Sequence, residues 1–548
     1  MAKMKDRNAQ LKTALGAMAP KERIKEAQNL PSYDAKNRQG LDAYSLPDEL
    51  RLISMLNVLK LEPQYYRSEN TTMSELRDLI EKLAIKDPYF VAQCIAWSRN
   101  LGEGMRSINH LAAALLAPFA CGEEWAKRFY GPFNKSTKSG GCIFRPDDMK
   151  EIKDVYSALN KSPLTNAMKK GFASAIESYD TYLLGKYRKT IIDISNLSHP
   201  NSKNSKAWVT VDGKQMKALD AIMQGITVSA DTWEVAQTEA GQEVSKAVKE
   251  GKLTADEAKE VLKEAKNDIW ESLLKEGKLG ILAALRNIRN MLKDPRPEVI
   301  KMLCDLLSDG ERIRESKVMP YQIDMAYEVV KQEFPTTSST VPVINALTRG
   351  YELSIPNLAE ALPGRTCVMV DCSGSMWTPC RVSTRAIRST CADKAGLIAA
   401  TIAKAVNADV IRFGTKAQYV EYTPQQNVFQ LASKIAAYDM GGTSISSAFE
   451  LIMKTKEKYD RIIILSDNEC NAKSWYSNKW TEEIYKDYIR TVCSPYVYAV
   501  DLAAYGTVPV AGDKVNYYFG YGYTFFDDIS SKEFNPSQHI DKIKNYVI

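Results

Sequence analysis

The stretch "RTCVMVDCSGSMW", residues Arg365 to Trp377, decides the fold of the second part of the chain. A run of small and β-branched apolar residues ends at Asp371, and Ser373 and Ser375 follow at alternate positions. A short apolar run of this kind is typical of a strand buried on both faces. Because this strand ends in a carboxylate and two hydroxyls instead of an ordinary turn, it indicates a binding site at its carboxyl end.

The residues after Gly364 alternate between predicted strands and predicted helices. Three further short apolar stretches, "ADVIRFG", "YDRIIILSD" and "SPYVYAVDL", predict strands of the same buried kind. The stretches "ADKAGLIAATIAKAV" and "SISSAFELIMKTKEK" lie between them and predict helices. This alternation predicts an α/β doubly wound, mostly parallel sheet whose ligands bind at the carboxyl ends of the strands.

Two more polar residues occupy equivalent places in the predicted sheet. Thr443 precedes a helix in "GGTSIS", and Asp467 follows the strand "IIILS". The resulting set contains two carboxylates and three hydroxyls, which are hard oxygen donors that suit Mg²⁺ or Mn²⁺. Serine and threonine are weak ligands, so one coordination position would stay open for water or an outside carboxylate. The predicted ligands are Asp371, Ser373, Ser375, Thr443 and Asp467.

One other interpretation of these residues remains open, and several catalytic motifs are excluded by their spacing. Asp371 could simply cap the turn that follows it, with the serines as helix-start residues. A serine hydrolase needs G-x-S-x-G, which neither "CSGSM" nor "GTSIS" supplies, and no phosphate-binding G-x-x-x-x-G-K-[ST] loop occurs. A phosphohydrolase with Asp371 as nucleophile usually needs a second acid where Ser373 stands. We therefore expect a protein that is not an enzyme.

The first part of the chain, up to about Pro363, has a helical pattern. In "DELRLISMLNVLK", Leu50, Ile53 and Leu56 fall on one face of a helix. Similar stretches separated by short loops predict an array of helical repeats, interrupted by a polar excursion at about 201–268. With 548 residues the chain is too long for one core. The expected domains are therefore a helical one at 1–363 and an α/β one at 364–548.

The composition fits a protein of the cytoplasm. The net charge of +6 permits a nucleic-acid partner without requiring one. No apolar run is long enough to span a bilayer, and the amino-terminal residues have no apolar core of a signal peptide. Ten cysteines occur, but no closely spaced Cys-x-x-Cys pair and only three histidines, which argues against zinc. Several cysteines sit in apolar segments, which indicates free thiols in a reducing compartment.

A basic segment lies between Lys161 and Lys206. It contains eight Lys or Arg and three Asp or Glu, so most of the net charge is concentrated there. Its cations can bind phosphates, and the interleaved tyrosines can stack on unpaired bases. The alternative is a solvated helix face whose tyrosines point inward. The cations are Lys169, Lys170, Lys186, Arg188 and Lys189, and the tyrosines are Tyr179, Tyr182 and Tyr187.

Two resemblances extend this interpretation. The last third of the chain resembles the von Willebrand factor A domain with its metal-ion-dependent adhesion site, since all five ligand positions are present. Such domains bind partners through the metal and are not enzymes. The stretch "KYRKTIIDISNLSHP" resembles the Ro ribonucleoprotein autoantigen family, whose helical part is the TROVE module. "PQYYRSEN", "LAALRNIRNML", "TWE" and "SDNE" are also similar to that family, which suggests a bacterial or phage-type Ro-like protein.

The second resemblance implies a ring of HEAT-like helical repeats closed by the A domain. Single-stranded 3′ ends of misfolded non-coding RNA would enter the central hole, and a small Y RNA would bind the outer surface. In bacterial relatives a Y RNA can tether the protein to polynucleotide phosphorylase, so an exonuclease is an expected partner, and an isolated ring suggests a monomer. The rival prediction is a metal-dependent protein-binding scaffold without RNA. The implied RNA contacts are Lys169, Lys170, Lys186, Arg188, Lys189 and His199, with Arg106 in "GEGMRSINH" as a weaker one.

Overall fold

The computed structural model consists of a helical region followed by an α/β domain, as predicted. The residues that the structure describes are 2–28, 44–59, 61, 68–211, 213–226, 228, 244, 246–248, 250, 252–316, 318, 320–355, 362–380, 389–469, 473–520 and 538–548.

Helices dominate the first part of the chain, and their apolar faces are buried as their spacing predicts. Leu50, Ile53 and Leu56 are all buried on one helix. Two of these helices begin at side-chain caps, where Ser68 accepts from the amide of Thr71 and Thr165 from that of Met168. In chain order they are α1 (Ala2–Leu15), α2 (Pro20–Ala27), α3 (Asp48–Val58), α4 (Glu69–Lys86), α5 (Pro88–Asn100), α6 (Ser107–Leu116), α7 (Ala126–Phe129), α8 (Pro146–Leu159), α9 (Asn166–Ser178), α10 (Thr181–Lys186), α11 (Arg188–Ser198) and α12 (Ala218–Met223).

A second helical group precedes the sheet. Its first helix buries Trp270 and ends before Gly277, whose φ of +66° is the left-handed conformation that glycine adopts readily. The helices are α13 (Ala255–Lys275), α14 (Ile281–Met291), α15 (Pro297–Leu307), α16 (Gly310–Ser316), α17 (Pro320–Glu333) and α18 (Thr340–Leu353).

Short strands interrupt the helical part, which the helical pattern did not predict. Strand β1 (Tyr44–Ser45) precedes α3, and β2 (Phe133–Asn134) pairs with β3 (Ser139–Gly140). Strands β4 (Trp208–Val211) and β5 (Lys214–Lys217) form a hairpin within the predicted polar excursion. The stretch "TWE" and most of "PQYYRSEN" lie outside the described residues.

The α/β domain is built on a six-stranded sheet in the order β12-β10-β9-β6-β7-β8. Its strands run parallel except β8, which pairs antiparallel with β7. The four predicted strands and both predicted helices are present. The strands are β6 (Thr366–Asp371), β7 (Asp409–Phe413), β8 (Ala417–Tyr419), β9 (Arg461–Ser466), β10 (Tyr496–Asp501), β11 (Thr507–Val508) and β12 (Val515–Phe519), and the helices are α19 (Cys391–Val406), α20 (Val428–Ile435), α21 (Ile445–Thr455), α22 (Thr481–Thr491) and α23 (Gln538–Lys544).

Both faces of the sheet are covered, as a parallel sheet requires. One face packs on α21 and α22. The other packs on α19 and α20, and the second helical group continues this core on their outer side. At that junction the rings of Tyr327 and Phe429 stack with centroids 3.7 Å apart. The second helical group and the α/β domain therefore share one hydrophobic core.

The first helical group also contacts the α/β domain, through residues far apart in sequence. Strand β1 pairs with β11, and the Leu46 amide donates to the carbonyl of Gly506 at 3.1 Å. The chain's last residues return to the same group, where the Gln93 side chain donates to the carbonyls of Lys544 and Tyr546, each at 2.8 Å. Both helical groups are thus anchored to one α/β domain.

The described cysteines form no disulfides, as predicted. Cys121 lies on an exposed turn. No helix among the described residues has the length and apolar character needed to cross a membrane.

A buried ion pair joins the second helical group to the α/β domain: the Lys394 ammonium donates to the Asp324 carboxylate, and both side chains are almost fully buried. Substituting Lys394→Met leaves a buried carboxylate without its partner, so we expect a loss of about 3–5 kcal/mol in the free energy of unfolding. The measurement is urea denaturation. The double substitution Lys394→Met with Asp324→Leu should recover most of this loss, and a double variant as unstable as the single one would contradict the explanation.

Candidate functional site

The five predicted ligands converge at the carboxyl edge of the sheet. Asp371 ends β6, and Asp467 directly follows β9, its neighbour in the sheet. Thr443 lies just before α21, and Ser373 and Ser375 lie in the loop after β6. All five side chains are buried.

The Asp371 carboxylate is held by two hydrogen bonds. Its Oδ1 accepts from the backbone amide of Ser373 at 2.8 Å, and its Oδ2 accepts from the Ser466 hydroxyl at 2.5 Å. The hydroxyl oxygens of Ser373 and Ser375 are 3.3 Å apart. The capping contact of the alternative interpretation is therefore present, and it orients the carboxylate beside the two serine hydroxyls.

Backbone contacts hold the Thr443 loop against the serine loop. The Gly374 amide donates to the carbonyl of Gly441 at 2.9 Å, and the Met440 amide donates to that of Cys372 at 2.8 Å. Gly441 has a φ of +85°, and a Cβ there would lie 2.7 Å from the Thr415 hydroxyl. The close approach of the Thr443 loop to the turn between β7 and β8, where Thr415 lies, therefore depends on glycine at this position.

Asp467 has one satisfied oxygen and one unsatisfied one. Its Oδ1 accepts from the amide of Glu469 at 3.2 Å, and the Ser375 hydroxyl approaches the carboxylate, whereas its buried Oδ2 meets no donor at hydrogen-bond distance among the described residues. A buried carboxylate oxygen without a partner costs free energy, so such groups usually have a ligand or a donor. The donor chemistry and this unpartnered oxygen both fit a small hard cation.

A third acid lies at this edge and is not among the predicted ligands. Asp501 ends β10, is buried, and accepts from the amides of Ala503 at 2.9 Å and Ala504 at 2.7 Å. The Ser54 hydroxyl on α3 also donates to it at 3.3 Å. Asp501 was detectable in the sequence only as a further strand-ending acid in "YAVDL".

The three acids are electrostatically linked. Burial, and next the negative charge of Asp467, raises the pKa of Asp371 to about 7. Burial also raises the pKa of Asp501 to about 7 and raises that of Asp467. Within the described part of the chain, no group of three or more His, Cys, Asp or Glu side chains is arranged to hold a metal. Any cation here would therefore depend on the serine and threonine hydroxyls.

The predicted basic segment folds into α9, α10 and α11. Lys170, Lys186, Lys189 and His199 are exposed, while Lys169 and Arg188 are half-buried. His199 caps α11 in the left-handed conformation, with a φ of 51°. The structure thus places these predicted residues on three consecutive helices.

Some members of this segment are engaged within the protein. Lys186 donates to the Tyr182 hydroxyl at 2.7 Å, and Arg188 donates to the Gly225 carbonyl at 2.6 Å. The prediction that Tyr179 is available for stacking was wrong, because its ring is buried in the hydrophobic core of the first helical group, called here the first core. Lys170 and Lys189 form no ion pair with any residue that the structure describes.

Arg106 is a weak candidate for an RNA contact because acidic side chains surround it. Its guanidinium contacts the carboxylates of Asp147 at 3.2 Å and Asp148 at 3.8 Å. Asp148 is buried and also binds Arg99 and His110 at 2.8 Å each. The charge of Arg106 is therefore partly neutralised in a structural cluster.

Two further cations accompany Lys170. Lys127 and Arg128 are exposed on α7 and line, with Lys170, a cavity of about 740 Å³ at the start of α9. The helices approach closely because residue 171 is glycine, where a Cβ would lie 2.5 Å from the Tyr130 carbonyl carbon. Sequence reasoning missed Lys127 and Arg128 because Glu123 and Glu124, which also line the cavity, hide their charge in the local count.

Two family models match the middle and later residues of the chain. The TROVE domain matches residues 231–367, and the Ro60 vWA domain matches residues 365–488. The solved crystal structure of the Deinococcus radiodurans Ro (Rsr) protein is similar, with a TM-score of 0.56 and 14% identity over 90% of this chain and 100% of that one. No curated protein matches. Residues 231–488 are therefore similar to a TROVE domain followed by a Ro60 vWA domain, which confirms the predicted resemblance, although "KYRKTIIDISNLSHP" lies outside both matched ranges.

The raised pKa values predict how stability depends on pH without metal. Asp371 has a pKa of about 7 in the folded protein and an ordinary value of 3.8, so between these the folded state retains a proton that the unfolded chain releases. Stability should therefore fall by roughly 1–4 kcal/mol as pH rises from about 4 to about 7. Urea denaturation in a chelating buffer measures this. Substituting Asp371→Asn should reduce the dependence and leave the part that Asp501 and Asp467 contribute, and an unchanged slope in that variant would contradict the assignment.

Proposed function

Because the chain joins a TROVE domain to a Ro60-type vWA domain, we propose that it is a non-catalytic RNA-binding protein of RNA quality control. The observation that carries the proposal is a basic surface on which two lysines form no ion pair with a described residue, although Glu123 and Glu124 line the cavity beside it. Lys170 and Lys189 are exposed, and no described acid pairs with either. Lys127 and Arg128 extend this surface beside the cavity. Phosphate groups are the natural ligands of such cations.

The proposed ligands are a Y-like small RNA and the single-stranded 3′ ends of misfolded non-coding RNA. The helical part, proposed to extend over 1–363 as a HEAT-like ring, would admit an unpaired tail and reject a duplex. Lys169, Lys170, Lys186, Arg188, Lys189 and His199 are proposed to contact RNA, with Arg106 in a minor role. The protein would act in the cytoplasm as a monomer and deliver RNA to an exonuclease such as polynucleotide phosphorylase.

The Asp371 cluster is proposed to hold Mg²⁺ or Mn²⁺. Asp371 and Asp467 would supply the charge, and Ser373, Ser375 and Thr443 would supply neutral oxygens. When bound, the cation would accept an acidic side chain of a partner protein at its open position. The unpartnered Oδ2 of Asp467 supports this assignment, since a cation would satisfy it.

A second candidate is a metal-dependent protein-binding scaffold that does not bind RNA. The buried acids favour it as much as they favour the first proposal. The scaffold proposal assigns no ligand to the basic surface, so a measurement of RNA binding distinguishes the two candidate functions.

Reversing charge on the basic surface should weaken RNA binding. For the double variant Lys170→Glu with Lys189→Glu, we expect roughly tenfold lower affinity for an RNA with a free 3′ tail and a smaller salt slope, because about two phosphate contacts are lost. Fluorescence anisotropy across a salt titration measures both.

The matched control is Lys454→Glu, which reverses an exposed lysine on α21 in the α/β domain. It should bind RNA as the unmodified protein does. Equal weakening in both variants would indicate a general charge effect, and no RNA binding by the unmodified protein would favour the scaffold.

Magnesium should stabilise the folded protein. A cation that binds the folded state alone raises the midpoint of thermal unfolding, and millimolar Mg²⁺ should do so more at pH 8 than at pH 6, because protons compete for the acids. Scanning calorimetry measures the shift. Asp467→Asn should abolish it, whereas Asp513→Asn, on an exposed acid outside the cluster, should retain it. A shift that survives Asp467→Asn would disprove the site.

A further inference from the structure

The β4–β5 hairpin presents an exposed tryptophan beside the basic segment. Trp208 is 53% exposed, although an indole is among the most favourable side chains to bury. The hairpin alternates in burial: Val209 and Met216 pack against the first core, while Trp208 and Thr210 face outward. The fold therefore does not need the indole for its own core.

The indole is held in a fixed orientation. Trp208 lies opposite Lys217 in the hairpin, and the Lys217 ammonium sits 4.0 Å from the centre of its ring. The same ammonium donates to the Ser205 carbonyl at 2.6 Å, which fixes the lysine as well. One face of the indole is covered by a cation and more than half of the side chain remains accessible. Because the indole is already ordered, the protein would lose little conformational entropy when a ligand stacks on it.

The surroundings of Trp208 are positive and polar. Between residues 186 and 217 the chain has seven Lys or Arg and two Asp or Glu. Lys203, Lys206 and Lys214 are exposed and form no ion pair with residues in the described part of the chain.

The hairpin is also connected to the helix that carries Lys169 and Lys170. The Glu177 carboxylate of α9 accepts from the Asn201 amide at 2.7 Å and from the Asn204 side chain at 3.0 Å. This acid therefore anchors the loop before the hairpin.

We propose that Trp208 is a stacking platform for an unpaired nucleobase, with Lys203, Lys206 and Lys214 contacting the adjoining phosphates; this rests on the proposed RNA-binding function. An aromatic face bordered by cations matches a single strand, in which each base adjoins a phosphate. A protein partner would need an apolar border around the indole. Instead, among the described residues of the hairpin, the exposed neighbours with side chains longer than that of glycine are Thr210, Lys214 and Gln215.

The test compares Trp208→Ala and Trp208→Phe with Trp475→Ala, which removes another exposed indole, 75% accessible, from the α/β domain. The probe is a single-stranded oligoadenylate with 2-aminopurine in place of one adenine. Trp208→Ala should bind roughly tenfold more weakly, as expected for one lost stack, and should lose quenching of the 2-aminopurine. Trp208→Phe should retain most of the affinity, and Trp475→Ala all of it. Affinity for a blunt RNA duplex should not change, because its bases are already stacked.

The possible outcomes separate the two levels of the proposal. If the unmodified protein binds neither probe, the proposed RNA-binding function itself fails. If it binds the single strand and Trp208→Ala binds equally well, the stacking platform is wrong and the RNA-binding function stands. If Trp208→Ala changes only self-association in gel filtration, the indole belongs to a protein interface and the inference is overturned.

Discussion

Three buried carboxylates at the carboxyl edge of the sheet constrain how the α/β domain and the first helical group meet. Each must find donors in a place that water does not reach, since an unsatisfied buried charge is costly. Asp501 finds them in two backbone amides and in Ser54 of α3, so the acid that ends β10 also holds the first helical group. Asp371 finds them within its own domain, whereas Asp467 keeps one oxygen without a partner. The candidate metal position thus lies beside the contact between the sheet and α3.

Local patterns in the sequence were enough to predict the α/β domain and the convergence of its site residues. A parallel sheet brings the carboxyl ends of its strands to one edge, so Asp371 and Asp467 had to approach each other once both strands were recognised. The role of Asp501 could not be predicted, because it depends on Ser54, which lies 447 residues earlier in the chain. Only the folded protein brings those two residues together.

The helical part was less predictable for a related reason. The spacing of apolar residues identifies helices, but it does not reveal which charges from different helices share a surface. Lys127 joins Lys170 across 43 residues of sequence because Gly171 allows α9 to approach α7. Tyr179 follows the last residue of α9, and its ring is buried in the core of the first helical group, which the interleaving of tyrosines and cations did not reveal. Residues 208–217 form a hairpin, although their polarity predicted only a surface excursion.

The anchoring of both helical groups to one domain links the basic surface to the acidic edge mechanically. The first group is attached through α3 and through the last residues of the chain, and the second is attached through the buried pair of Lys394 and Asp324. A chain fixed at both ends can change shape only if one attachment yields or the helices between them bend. The contact at Asp501 adds hydrogen bonds to a hydrophobic core that includes Ala504, Val508 and Phe519 of the α/β domain. The contact at Lys394 is a buried ion pair within the core of the second helical group. A movement of the first helical group would therefore reach the buried acids of the sheet through the hydrogen bond between Ser54 and Asp501.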